Sequence, residues 1–180
     1  MGETVSRDPL RDPKPLIDRV YAYAAYRLGD GADAEDVTSE TFERALRYRE
    51  SFDPKRGEPV AWLIGIARRC IADTVLRREP VVEEVPDTPG DAHEERTVGK
   101  LDLHAAVAQL SDRERELVAL RYGGDLTAQQ IGVLLEMKTN AVEVALHRAL
   151  GRLRGLLEQE AAAPAAASWP PLAPARVDRL

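Results

Sequence analysis

The chain has few of the residues that staple a small protein or do chemistry in one. One cysteine, Cys70, in 180 residues excludes a disulfide framework and a cysteine-built zinc site. The three histidines, His93, His104 and His147, are scattered, with no carboxylate or thiol at ligand spacing. No nucleophile motif, glycine-rich phosphate loop or metal motif occurs, so an enzyme and a bound cofactor are not expected. No apolar run approaches the ~20 residues that a membrane helix needs, and no membrane insertion is expected. The opening segment MGETVSRDPLRDPKP lacks the apolar stretch of a secretory signal. Together these absences lead us to expect a reduced, soluble, cytoplasmic protein.

An excess of positive charge is also missing. The chain carries 25 Lys and Arg against 31 Asp and Glu, a net charge of −6. The excess acid is concentrated: residues 80–99 hold 1 basic and 6 acidic side chains, so the segments on either side are close to neutral. That stretch, PVVEEVPDTPGDAHEERTVG, also carries Pro80, Pro86 and Pro89. Proline removes backbone donors and biases its predecessor away from helix, and like charges keep a chain extended. It reads as a flexible acidic linker over 80–99 between a domain at 14–79 and another at 100–160. The Ala/Pro-rich sequence of 161–180 reads as a low-complexity tail.

What is present is helical periodicity, and no stretch alternates with the period of a strand. Leu16, Val20, Ala24 and Leu28 recur near the helical period until Gly29 and Gly31 end the run. Asp33 is placed to cap a second helix with Val37, Thr41, Ala45 and Tyr48 on one face. After the loop FDPKRGEP, a long helix from about 60 to 78 is expected to bury Leu63, Ile66, Ala67, Cys70 and Thr74. In the second half, helices are expected at 101–109, 112–121, 127–135 and 138–157. Ser111 or Asp112 caps the second of these, and Thr127 with Gln130 forms a capping box on the third. The fold class is all-α: two small helical domains, the C-terminal one containing a helix-turn-helix.

Three segments invite function. In LTAQQIGVLLEMKTNAVEVALHRALGRLRGLL, Ile131, Leu134 and Leu135 are expected to pack on Val142, Leu146, Ala149 and Leu153. Asn140, Glu143, Val144, His147 and Arg148 are left on the outer face, where a helix-turn-helix meets base edges, with Thr127 opening the preceding helix. In ARRCIADTVLRR, Arg69, Asp73 and Arg77 share a face with Arg68 and Arg78 alongside, the most basic stretch of the chain. Lys55 and Arg56 precede it in the loop, a pattern suited to phosphate and base contacts. Trp62 is either core or a wall on which a base stacks. In GADAEDVTSETFERALRY, Asp36, Glu40, Glu43, Arg44 and Arg47 form a polar face that either serves the helix dipole or docks a partner. Taken singly, each segment fits an ordinary solvated helix as well as a binding surface.

In order along the chain, the segments resemble the small, two-domain extracytoplasmic-function (ECF) group of bacterial RNA polymerase sigma factors. DAEDVTSETFERALRY resembles the helix that binds the polymerase clamp. FDPKRGEPVAWLIGIARRCIADTVLRR resembles the promoter-melting loop and the helix that reads the minus-ten element. LSDRERELVALRYGGDLTAQQIGVLLEMKTNAVEVALHRALGRLR resembles the domain that reads the minus-thirty-five element. The resemblance spans roughly residues 14–157. It implies RNA polymerase core (clamp and flap) and promoter DNA as partners, and often an anti-sigma factor. Family members commonly carry glycine near Glu136, basic residues near Glu143 and Ala145, asparagine where Arg69 stands and a basic residue where Gly65 stands. A chain this acidic suits a factor that borrows affinity from a larger partner, because autonomous DNA binding rests on phosphate neutralisation. A stand-alone helix-turn-helix regulator and a helical adaptor that binds only protein remain the alternatives.

Overall fold

The computed structural model describes residues 8–78 and 98–162; the expected linker and Ala/Pro tail lie outside them, apart from their helical edges. The described residues form helices α1 (Pro13–Leu28), α2 (Ala32–Arg47), α3 (Pro59–Arg78), α4 (Val98–Ala108), α5 (Asp112–Val118), α6 (Ala128–Leu135) and α7 (Thr139–Ala162). A 3-10 turn follows α2 at Arg49–Ser51, and a π turn, Ala119–Gly123, follows α5. The all-α expectation holds: no strand occurs among the described residues.

Local chemistry explains most helix ends. Proline starts α1, where its missing N–H costs nothing. Gly29 caps its end at φ 91°, in the left-handed region where a side chain is disfavoured. The capping residue of α2 is Gly31 rather than Asp33, which lies in the first turn with Glu35 and meets the positive end of the helix dipole. Arg44 and Arg47 occupy the opposite end. Ser111 and Glu114 form a reciprocal capping box on α5, and Thr127 and Gln130 form one on α6. The helix expected to run to 121 stops as α-helix at Val118 and continues as the π turn.

The core differs from the expected pattern in one consistent way. Leu63, Ala67 and Cys70 of α3 are buried as expected, but Ile64 and Ile71 are buried too, while Ile66 and Thr74 are only half-buried. Tyr48 does not join the α2 core face; it caps the helix end and is exposed. The cause lies across the chain, because a single apolar cluster joins Val20, Tyr23, Leu63 and Ile64 to Leu117, Leu120, Leu126 and Ile131. A helix that packs on two sides needs a wider apolar arc than one packing on a single neighbour. The helices α4, α5 and α7 share a second, smaller cluster of Ala106, Val107, Leu110, Val118, Ala149 and Leu153.

Consequently the expected packing of α6 on α7 holds only for the first part of α7, and both helices also pack on the rest of the chain. Ile131, Val142 and Leu146 belong to the larger cluster, whereas Ala149 and Leu153 pack with α4 and α5. Leu134 is turned towards Gly65 of α3. Gly123 sits so close to α1 that a Cβ built on it would lie 2.7 Å from the Tyr23 backbone. Only glycine permits that approach.

Candidate nucleic-acid interface

Each candidate residue takes its orientation from the helix that carries it. On α7, the buried stripe of Val142, Leu146, Ala149 and Leu153 fixes the rotation of the helix. Asn140, Glu143, Val144, His147 and Arg148 are then all exposed, along the first three turns of α7. Glu136 makes that turn in the left-handed conformation, with φ 55° and ψ 41°. Thr127 is exposed as well, but its hydroxyl is already engaged, accepting from the Gln130 backbone N–H at 3.2 Å.

The α3 candidates divide into two groups. Arg69 is exposed, as are Lys55 and Arg56 in the preceding loop, where the Lys55 backbone N–H donates to Asp53 Oδ1 at 2.9 Å. Trp62 is half-buried and packs at a tilt on Phe52, ring centroids 5.6 Å apart. The others hold polar contacts within the chain. Arg68 Nε donates to Glu116 Oε1 at 2.8 Å and its Nη1 to the Leu134 carbonyl at 3.2 Å. Arg77 Nε donates to the Asp73 carbonyl at 3.1 Å. Arg78 closes the helix, and its side chain lies outside the described residues.

On α2, Asp36, Glu43 and Arg47 are exposed, while Glu40 and Arg44 are half-buried. Arg44 Nη2 donates to Glu40 Oε1 at 2.5 Å and to Asp73 Oδ2 at 2.8 Å, and Arg77 approaches Glu40 at 3.7 Å. Two candidates expected for a protein partner are thus tied to two expected for DNA. Beside this network, burial pushes the Cys70 thiol above its ordinary range, which marks it as packing.

A cleft of about 1260 Å³ opens between α3 and the α5–α6 region, with Phe52, Trp62, Arg69, Arg113, Val133 and Met137 among its walls. Among the described residues no group of His, Cys, Asp or Glu is placed to hold a metal ion, and no helix is long and apolar enough to cross a membrane.

Residues 14–80 match Sigma-70 region 2, and residues 100–153 match Sigma-70, region 4. The ECF RNA polymerase sigma factor ShbA of Streptomyces griseus is 44% identical over 172 residues, covering 86% of this chain and 88% of ShbA. The chain belongs to the ECF RNA polymerase sigma factors. Another member, BldN of Streptomyces coelicolor, is 34% identical over 154 residues, which cover 80% of this chain and 58% of BldN. The chain therefore spans less than two thirds of that relative. Two solved structures share the fold of this sigma factor. The sigma factor RpoE of Bartonella quintana, solved in complex with the anti-sigma factor NepR, matches with a TM-score of 0.64 at 20% identity, covering 81% of this chain and 93% of RpoE. CnrH, solved with the cytosolic domain of CnrY, matches with a TM-score of 0.59 at 22% identity, covering 88% of this chain and 92% of CnrH. Sigma factors are transcription initiation factors rather than enzymes.

One residue of this sigma factor that sequence reasoning missed is Glu116. Its carboxylate accepts from Tyr23 Oη at 3.0 and 3.1 Å and from Arg68. Arg27 Nε lies 2.9 Å from it, an ion pair without hydrogen-bond geometry. The available signal was a charge within one helical turn of Leu117 and Leu120 on an apolar arc, since a carboxylate there must be paired. Burial, followed by the nearby Glu116 charge, holds the Tyr23 phenol well above its ordinary range, so it stays a donor.

Proposed function

We propose that this sigma factor binds RNA polymerase core and directs promoter-specific initiation, with a division of labour along the chain. Residues 14–79 dock on the polymerase clamp through Asp36, Glu40, Glu43, Arg44 and Arg47. The same domain engages and opens the minus-ten element through Lys55, Arg56, Trp62, Arg68, Arg69, Asp73, Arg77 and Arg78. Residues 100–160 read the minus-thirty-five element through Thr127, Asn140, Glu143, Val144, His147 and Arg148 and meet the polymerase flap. The acidic segment 80–99 spans between them, and 161–180 is a tail.

The observation that carries this reading is the α7 face. Its five candidate residues are exposed together at the entry of the second helix of a helix-turn-helix, while the opposite stripe is buried. That is the geometry in which a recognition helix meets base edges. Lys55, Arg56 and Arg69 supply cations beside the half-buried Trp62, a combination suited to backbone contact with a base stacked alongside. The protein does no covalent chemistry of its own and works in the cytoplasm, where core polymerase acts. By analogy with RpoE, whose structure includes an anti-sigma factor, a protein of that class is the expected antagonist. Run-off transcription with purified core, with and without the chain, tests the proposal. Promoter-specific transcripts only when the chain is present support it, and their absence overturns it.

A further inference from the structure

The outer face of α7 carries one side chain that neither burial nor solvation explains. Val144 is 44% exposed, and it is the one large apolar side chain exposed on α7 among the described residues. Successive residues of a helix turn by about 100°. Val144 therefore lies almost diametrically opposite the buried stripe of Val142, Leu146, Ala149 and Leu153, at the centre of the face assigned above to the minus-thirty-five element. A β-branched residue does nothing for the helix there, since alanine, leucine or a long charged residue favours helix more.

The surface around Val144 is low. Ala141 lies beside it and Gly151 two turns further on, both exposed, and a Cβ built on Gly151 meets nothing within 4 Å. Glycine inside a helix is less stable than alanine, and no packing requires it here. What it does permit is close approach of the helix backbone to another surface. Asn140 stands one turn before Val144, exposed, and its amide makes no hydrogen bond among the described residues. The face thus presents an apolar knob and an uncommitted carboxamide on cleared ground.

The major groove offers an apolar target of one kind, the 5-methyl group of thymine, and a carboxamide matches the N6 and N7 edge of adenine. We infer that Val144 selects thymine by packing on its 5-methyl group, with Asn140 reading an adenine beside it, so that the centre of the minus-thirty-five element contains A·T pairs. The inference rests on the function proposed above and names what that face selects. Glu143, His147 and Arg148 flank the pair and address polar base edges or phosphate. A methyl contact neutralises no phosphate, so it adds selectivity without adding to the salt dependence of binding.

The test uses holoenzyme assembled from purified core and the full chain, with a promoter that this holoenzyme selects from random-sequence duplex DNA. Each thymine of the selected minus-thirty-five element, on either strand, is replaced in turn by deoxyuridine, which removes the methyl and keeps the base pair. Burial of one methyl group changes affinity about fourfold, so uracil at the position facing Val144 is expected to weaken binding about fourfold. Val144→Ala, at an exposed position where alanine favours the helix, is expected to fold normally and to weaken binding to the thymine promoter by at least about fourfold. It is also expected to lose the sensitivity to uracil at that position and to leave the salt slope unchanged. Wild-type indifference to uracil at every position, an undiminished uracil effect in Val144→Ala, or a selected element without thymine overturns the assignment and leaves the proposed function standing. Selection of no minus-thirty-five sequence at all overturns the function instead.

Discussion

Arg44 Nη2 lies 2.8 Å from Asp73 Oδ2, and this contact ties helix α2 to helix α3. The same guanidinium holds Glu40, so one arginine serves two helices. With 29% of the Arg44 side chain and 48% of the Asp73 side chain exposed, solvent screens the pair. A double-mutant cycle of Arg44→Ala and Asp73→Ala by urea unfolding is expected to give a coupling of only about 0.2–1 kcal/mol. A much larger coupling shows the network to be a structural pillar rather than a surface tie.

Because Glu40 belongs to that network, the partner-facing surface of α2 is better tested at its exposed positions. Asp36→Arg with Glu43→Arg is expected to abolish co-purification with polymerase core while leaving thermal unfolding unchanged. Retained co-purification removes this face from the interface.

Arg68 and Arg69 are neighbours with different surroundings. Arg69 is exposed and Arg68 is paired with Glu116. Arg69→Ala is therefore expected to leave stability within about 0.5 kcal/mol and to lower promoter binding by the polymerase complex. If the lost contact is to phosphate, the salt slope falls by about one unit. An unchanged slope and unchanged transcription exclude Arg69 from the DNA surface.

Glu136 holds the left-handed conformation in the turn between α6 and α7, which costs a non-glycine residue roughly 1–2 kcal/mol. Glu136→Gly is expected to raise stability by about 0.5–1 kcal/mol in urea unfolding, the gain being reduced by glycine's greater freedom in the unfolded chain. A loss of stability indicates that the Glu136 side chain contributes a contact worth more than the relieved strain.

The capping box at Ser111 carries a pH signature. Hydrogen bonds from the Ser111 hydroxyl and backbone N–H hold the Glu114 carboxyl below its ordinary range, with Arg152 adding to the effect. A depressed carboxylate contributes stability that is present above its unfolded pKa and lost as pH falls through its folded value. Ser111→Ala is expected to cost about 1 kcal/mol near neutral pH, and the difference from wild type shrinks below pH ~4.5. A difference independent of pH shows that Glu114 takes no part in the cap.

Helix identity, the helix-turn-helix and the exposed face of α7 were legible because their causes are local. Capping residues, glycine stops and the 3.6-residue period act over a few positions, and Thr127, Gln130, Val142 and Leu146 announce themselves in that range. Tyr23, Ile64, Glu116 and Gly123 carry no such local mark. Their roles arise from partners 48 to 100 positions away in the chain, and a periodicity cannot report which distant helix will cover a face. The sequence by itself determined an all-helical chain of two halves with a recognition helix at the end. Tertiary structure alone decided that the halves share a core, that α3 buries a second side, and that Arg68 meets a carboxylate. The physical reason is that apolar area and unpaired charge are satisfied by whatever surface lies opposite, a property of the packed whole.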